Sequence, residues 1–385
     1  MTNLPRGKRL LVLALAAVLA VAGGAGSALL GDCGPFTDVT PAFCAAVFEV
    51  YVLGITGGTS PTTYSPNDTV TRLQMAPFLK RAVDTTLQRA GRRAAIGQFW
   101  TPQNAAVLGQ FPVGATPVAL GSDGADVWVA ESGPPSGVSR LRGGDGKLLD
   151  TWTGGNGPTG ILVAMGKVFT LSSSASGALL QLDPTAPAGA LTQVAPLPGG
   201  GATLAFDGAR IWTANTSGSV SIVTPGGTIP WPVTSVSTGF NTPAGILFDG
   251  SSVWVTDQAA STLLKLNAAG GIVQTVSTGL APQIPTFDGT NIWVPNFVGS
   301  VTVVRAATGA VVTTLTGNGL DQSARAAFDG QRVLVTNLSG NVSLWKAADL
   351  SPLGAFPVGA PASGVCSDGF SFWITIPSQN KVVRF

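Results

Sequence analysis

Phe248-Asp249-Gly250-Ser251-Ser252-Val253-Trp254-Val255 is the stretch on which the fold turns. Asp-Gly is a tight-turn dipeptide whose glycine tolerates positive φ, and it joins two apolar, β-branched runs. The unit therefore reads as a β-hairpin: Ala244 to Phe248, a turn, then Ser252 to Thr256. Thr262 to Leu266 and Ile272 to Ser277 complete a four-stranded set, here labelled a to d. The same text recurs around Trp128, Trp212, Trp293, Leu334 and Trp373, and in a shorter form at Ala164-Met165-Gly166-Lys167-Val168-Phe169-Thr170. With the turn aspartate or its equivalent as the mark, the positions are 123, 165, 207, 249, 288, 329 and 368, spaced 39 to 42 apart.

Repeats of about 40 residues holding only strand patterns mark a β-propeller with four strands per blade. The spacing predicts seven blades over residues 105–385. The last unit ends at Lys381-Val382-Val383-Arg384-Phe385, a strand c without a strand d. Val107-Leu108-Gly109-Gln110-Phe111-Pro112-Val113-Gly114 parallels Pro352-Leu353-Gly354-Ala355-Phe356-Pro357-Val358-Gly359, which is a d strand. Residues 106–113 are thus expected to supply the missing strand and close the ring. The fold class is mainly β, with a small α-helical module ahead of the propeller.

Leu334-Val335-Thr336-Asn337 followed by Val342-Ser343-Leu344 resembles the repeats of YVTN/NHL-type propellers. The Asp-Gly-x-x-Trp pattern is more distantly similar to propellers of the virginiamycin B lyase type. The lyase-type propellers depend on histidine, and this chain of 385 residues has none. That also removes a Ser-His-Asp triad and any His ligand for a metal. No metal and no cofactor are expected.

The N-terminus has the layout of a secretory signal. Arg6, Lys8 and Arg9 precede an apolar run from Leu10 to Ala22, and small residues follow to Ala28. Residues 1–28 are read as this signal. Its removal takes away three positive charges and turns the formal +2 into −1. Cys33 and Cys44 then lie in an exported segment, where a disulfide between them would persist. Cys366 is expected to be a buried free thiol. No transmembrane segment remains after cleavage, and nothing is basic enough for nucleic acid.

Residues 33–85 carry Phe36-Thr37-Asp38-Val39, an apolar helical stretch from Phe43 to Leu53, and Gly54-Ile55-Thr56-Gly57-Gly58. Tyr64-Ser65-Pro66 and Thr71-Arg72-Leu73-Gln74 follow. Thr71 and Gln74 have capping-box spacing, and Met75, Phe78, Leu79 and Val83 form an apolar helix face. In this order the motifs resemble a single S-layer homology domain. The resemblance implies attachment to anionic cell-wall polysaccharide, with Asp38, Gly54, Gly57 and Arg72 as site residues. Arg72 suits bidentate binding of a carboxylate, and the glycines allow close backbone approach. Two departures stand out: the usual helix Trp is replaced by Phe43 or Cys44, and the usual acid by Gln74. Family members also usually carry three copies, so self-association through this module is the expected oligomeric route. Residues 86–104 read as a helix extension and linker.

In the propeller the turn aspartates read as residues that bond their own backbone, and the strand-b aromatics as inter-blade packing. Three residues beyond each strand-b aromatic (Leu334 in the sixth blade) stand Glu131, Ser172, Asn215, Asp257, Asn296, Asn337 and Ile376. Glu131, Asn215, Asp257, Asn296 and Asn337 are the candidate ligand-binding ring, for a polar ligand, a sugar or a weakly held cation. Asn and Asp at strand ends also form Asx turns, which is the competing account. The expected role is an exported, cell-envelope-associated binding or structural scaffold, whose partners are cell-wall polysaccharide or envelope proteins. The alternative is a propeller lyase or hydrolase using a carboxylate pair such as Glu131 with Asp257. The propeller carries 12 basic and 14 acidic residues, too near balance to recruit a charged partner at long range.

Overall fold

The computed structural model describes residues 33, 35–52, 56–71, 75, 78–79 and 109–385. The export signal (1–28), Gly54, Arg72, Gln74, the linker (86–104) and residues 106–108 of the closing segment lie outside these residues. The chain divides into two compact units, residues 1–97 and 98–385.

In the first unit a single turn at Pro41–Phe43 leads into the helix Cys44–Val52, close to the expected 43–53. Proline suits this start, because its missing N–H would have no partner there. Phe36 is buried, with its ring 5.1 Å from Tyr51 and 5.4 Å from Tyr64. Cys33 and Cys44 are joined as a disulfide. Gly58, at φ +72°, is the glycine the fold requires: a Cβ there would enter the space of the Phe36 ring and the Thr63 carbonyl. Met75, Phe78 and Leu79 are helical, and the Met75 N–H donates to the Thr71 carbonyl at 2.9 Å, one helical turn back. Met75 and Leu79 are 44% and 60% exposed, and Phe78 is half-buried. The buried side chains here belong instead to Phe36, Cys44 and Val47.

Among the described residues, 109–385 form seven antiparallel sheets of four strands. The reference unit runs Pro243–Phe248, Val253–Asp257, Thr262–Leu266 and Ile272–Ser277, within one residue of expectation. Blades 1 to 6 span residues 117–153, 158–196, 201–236, 243–277, 286–316 and 323–357. Blade 7 combines Val365–Ser367, Phe372–Ile376 and Lys381–Arg384 with Gln110–Pro112 from the other end of the propeller. Phe111 faces Val382 in that pairing, and its ring lies 5.5 Å from Trp373. Joining both ends of the repeat in one sheet leaves no open seam.

Burial falls from the inner strands to the outer. Strand b is enclosed by neighbouring blades on both faces, so nearly every residue in it is buried, as in Val253–Asp257. The outer Leu148–Thr153 and Ala310–Thr316 are largely exposed and threonine-rich. Trp128, Trp212, Trp254, Trp293, Trp373 and Phe169 are all within 1% of complete burial. An aromatic side chain buries about 150–250 Å², or roughly 4–6 kcal/mol at 25 cal/mol/Å². These rings therefore dominate the cohesion between blades. Cys366 is free and half-buried; burial, assisted by the charge of Asp368, pushes its thiol pKa up.

Candidate functional site

Every turn aspartate works the same way. Asp123, Asp207, Asp249, Asp288, Asp329 and Asp368 each accept two backbone N–H groups, two and three residues on, through one oxygen at 2.6–2.9 Å. The second oxygen accepts the indole N–H of the strand-b tryptophan five residues on in five blades, at 2.7–3.0 Å. Blade 6 has Leu334 at that place, and Asp329 accepts the Arg332 guanidinium instead. Blade 2 has Phe169, which carries no N–H, and has no aspartate in its turn. Sequence reading missed this clasp, although Asp stands five residues before every strand-b Trp. These carboxylates are spent on structure.

The polar residues at the far end of strand b are likewise enclosed. Glu131 is 1% exposed, and Asn215, Asp257, Asn296 and Asn337 are fully buried. Glu131 Oε1 accepts the Gly114 N–H at 2.7 Å. Asp257 accepts the N–H groups of Asn241, Thr242 and Ala260 at 2.6, 3.1 and 3.2 Å. Asn337 Oδ1 accepts the Ser323 hydroxyl at 2.9 Å, and its amide donates to Asn341 and Ser343. Asn215 and Asn296 donate to hydroxyls on strand c of their own blades. Glu131 and Asp257 thus grip the connection arriving from the preceding blade. The structure places the five at equivalent stations, and no hydrogen bond joins any two of them. Burial pushes the Glu131 pKa up, and bonds from Ser139 and Gly114 only partly oppose it.

In the module, Asp38 is exposed, but both its oxygens are engaged. They accept the N–H groups of Tyr64 and Ser65 at 2.8 and 2.7 Å. The Tyr64 bond is the chief cause that holds its carboxyl below the ordinary carboxylate range. Asp38 therefore ties residues 64–65 to residues 36–38. Gly57 is exposed, with nothing within 4 Å of the place its Cβ would occupy, so a ligand can approach its backbone closely. Gly54 and Arg72 lie outside the described residues.

Sequence reading also missed a cleft of about 590 Å³ between blades 5 and 6, on the face of the Asp-Gly turns. Its wall includes Asn291, Arg305, Phe328, Arg332, Lys346 and Leu353. Arg332 is paired with Asp329 at 2.7 Å, and Lys346 with Asp349 at 2.7 Å. Asn291 Oδ1 is buried without a partner. The cleft offers a cation-rich wall beside an aromatic ring.

Residues 35–76 match the S-layer homology domain. No curated protein matches the chain in sequence. Among solved structures, one described as a streptogramin B lyase superposes with a TM-score of 0.60 at 14% identity, covering 72% of this chain and 96% of that one. The WD40 β-propeller domain of Doa1 gives 0.62 at 12% identity, covering 72% and 95%. The computationally designed Ika8 protein gives 0.54 at 12% identity, covering 72% and 100%. At these identities the likeness concerns the fold alone.

The chain is thus an S-layer homology domain at residues 35–76 and a seven-bladed β-propeller. Such a domain implies a cell-surface or envelope-associated protein. Among the described residues, no helix is long and apolar enough to cross a membrane.

Proposed function

We propose that the module holds the protein to cell-wall polysaccharide while the propeller presents a binding scaffold at the envelope. The match over residues 35–76 carries this reading. The open backbone at Gly57, beside a loop pinned by Asp38, supports it. Arg72 supplies the cation that an anionic sugar needs. Phe43, Val70, Met75 and Leu79 are large, apolar and exposed in this one small unit. They support self-association, which would gather several copies of the module on one polymer.

For the propeller, the scaffold reading is favoured over a carboxylate-pair enzyme. Glu131 and Asp257 are buried and bonded to loop N–H groups, which leaves them poorly placed for proton transfer. The cleft between blades 5 and 6 is the surface suited to an anionic group on an envelope partner. The test is co-sedimentation of the full chain with purified cell-wall polysaccharide. The protein is expected to pellet, and Arg72→Ala to remain in the supernatant with its β-sheet circular dichroism intact. Equal pelleting of the two proteins would remove the anchoring role.

A further inference from the structure

The innermost strands of the seven blades surround a central tunnel of about 170 Å³. Six blades contribute apolar side chains to it, Leu120, Ile161, Leu204, Ile246, Ile284 and Val365, although much of its accessible surface is polar. The one charged side chain in its lining is Arg325, on strand a of blade 6. Strand pairing aligns it with Ala119, Thr203 and Gly245, each set opposite the penultimate residue of strand b. The same count reaches Gly160, Ile284 and Gly364 in the other blades. Six blades thus place a small or apolar residue where the sixth blade places a guanidinium.

This guanidinium has no carboxylate to answer it. Among the described residues it makes neither an ion pair nor a side-chain hydrogen bond. Desolvation is the sole cause that lowers its pKa, to about 10, with no Coulombic partner acting on it. It therefore stays protonated at neutral pH. Arg325 is half-buried, and a charge drawn partly out of water is costly unless it is paired. Arginines elsewhere in the blades find partners of other kinds: Arg384 donates to the carbonyls of Gly143 and Gly144. Arg140, Arg210 and Arg332 are all ion-paired to aspartates.

We propose that the tunnel is a binding site for a small monocarboxylate, held by Arg325. The guanidinium fork matches the two oxygens of one carboxylate. The remainder of such a ligand would meet Leu120, Ile161, Leu204, Ile246 and Val365. A phosphate would bring a second negative charge to a lining whose one cationic side chain is Arg325. The Thr203 hydroxyl is already committed, donating to the Ala244 carbonyl at 2.9 Å. That second charge would have no counter-charge beside it. One water needs about 10–15 Å³ of such space, so the volume holds roughly 11–17 water-sized groups, ample for an acid of two to four carbons together with ordered water.

The test is thermal shift and isothermal titration of the full chain at constant ionic strength. The probes are butyrate, acetate, inorganic phosphate and chloride. Butyrate is expected to bind with one-to-one stoichiometry and to raise the melting temperature more than phosphate or chloride does. Arg325→Lys keeps the charge but not the fork, and should weaken butyrate binding at least about tenfold. Arg325→Met should abolish binding while melting no lower than the unliganded wild type, because it removes an unpaired charge. Should Arg325→Met fail to fold, Arg325→Lys decides alone. Undiminished butyrate binding by either folded variant, no binding by the wild type, or a preference for phosphate or chloride overturns the proposal.

Discussion

Strand b carries a recurring polar residue near each of its ends, and the two ends behave differently. At the Asp-Gly end six blades use one residue in one geometry: two turn N–H groups on one oxygen and, in five of them, a buried indole on the other. At the opposite end the residue changes from Glu131 to Ser172, Asn215, Asp257, Asn296, Asn337 and Ile376, and its partners change with it. The difference follows from what must be satisfied. An indole N–H inside a packed ring can reach no water, so only one acceptor at one distance serves it. A crossover loop has several N–H groups near solvent, and many short side chains can brace it. Recurrence with one residue type therefore marks a demand of the core, and recurrence with varied types marks a local brace.

The sharpest way to break this contrast is Asp249→Ala against Asp257→Ala. Asp249→Ala strands the Trp254 indole N–H, which is fully buried, and strips two turn N–H groups. It should cost about 2–4 kcal/mol in urea unfolding, on the scale of buried unsatisfied donors. Asp257→Ala removes three bonds to loop N–H groups that water can replace. It should cost about 1–2 kcal/mol. Equal costs would mean that both ends are core demands.

The smallest effect is a pH signature of opposite sign at the two ends of strand b in blade 1. Burial pushes the Asp123 pKa up, but the N–H groups of Asp126 and Ala125, the Trp128 indole and the Arg140 charge outweigh it and hold the group below 3.8. Its stabilisation is complete above 3.8 and is lost as pH falls from there through the folded value. The Glu131 pKa is raised above 4.5 by burial. Its ionised form therefore disfavours the folded state, and the penalty grows as pH rises from 4.5 through the folded value. Asp123→Asn should destabilise at neutral pH, with the deficit vanishing in acid. Glu131→Gln, which can still accept the Gly114 N–H, should be no less stable than wild type at neutral pH and lose any advantage below 4.5. Unfolding midpoints from pH 3 to 7, with shifts below about 1 kcal/mol, read both. The same sign for the two substitutions would refute the assignment.

The repeats, the four strands of each blade and the strand that closes the ring were legible in the sequence. Turn glycines and apolar runs act over a few residues, and closure needed only the match of Phe111-Pro112-Val113-Gly114 to Phe356-Pro357-Val358-Gly359. The S-layer homology motifs were legible for the same reason. Two signals were present but unused. One is the constant five-residue interval from Asp to Trp. The other is Arg325, which is the one charged residue on any strand a. Both need three dimensions to acquire meaning, because a carboxylate before a tryptophan or an arginine in a strand names no partner.

The sequence by itself thus determined an S-layer homology module and a ring of seven four-stranded blades, both of which rest on short-range pattern. Only the tertiary structure decided where the polar side chains spend their hydrogen bonds. It buried the expected ring of Glu131, Asn215, Asp257, Asn296 and Asn337 within its blades. It also set Arg325 alone in the tunnel where seven separate strands meet. The physical reason is that desolvation and pairing depend on which distant segments pack around a group, and closure of the ring settles that for every blade at once.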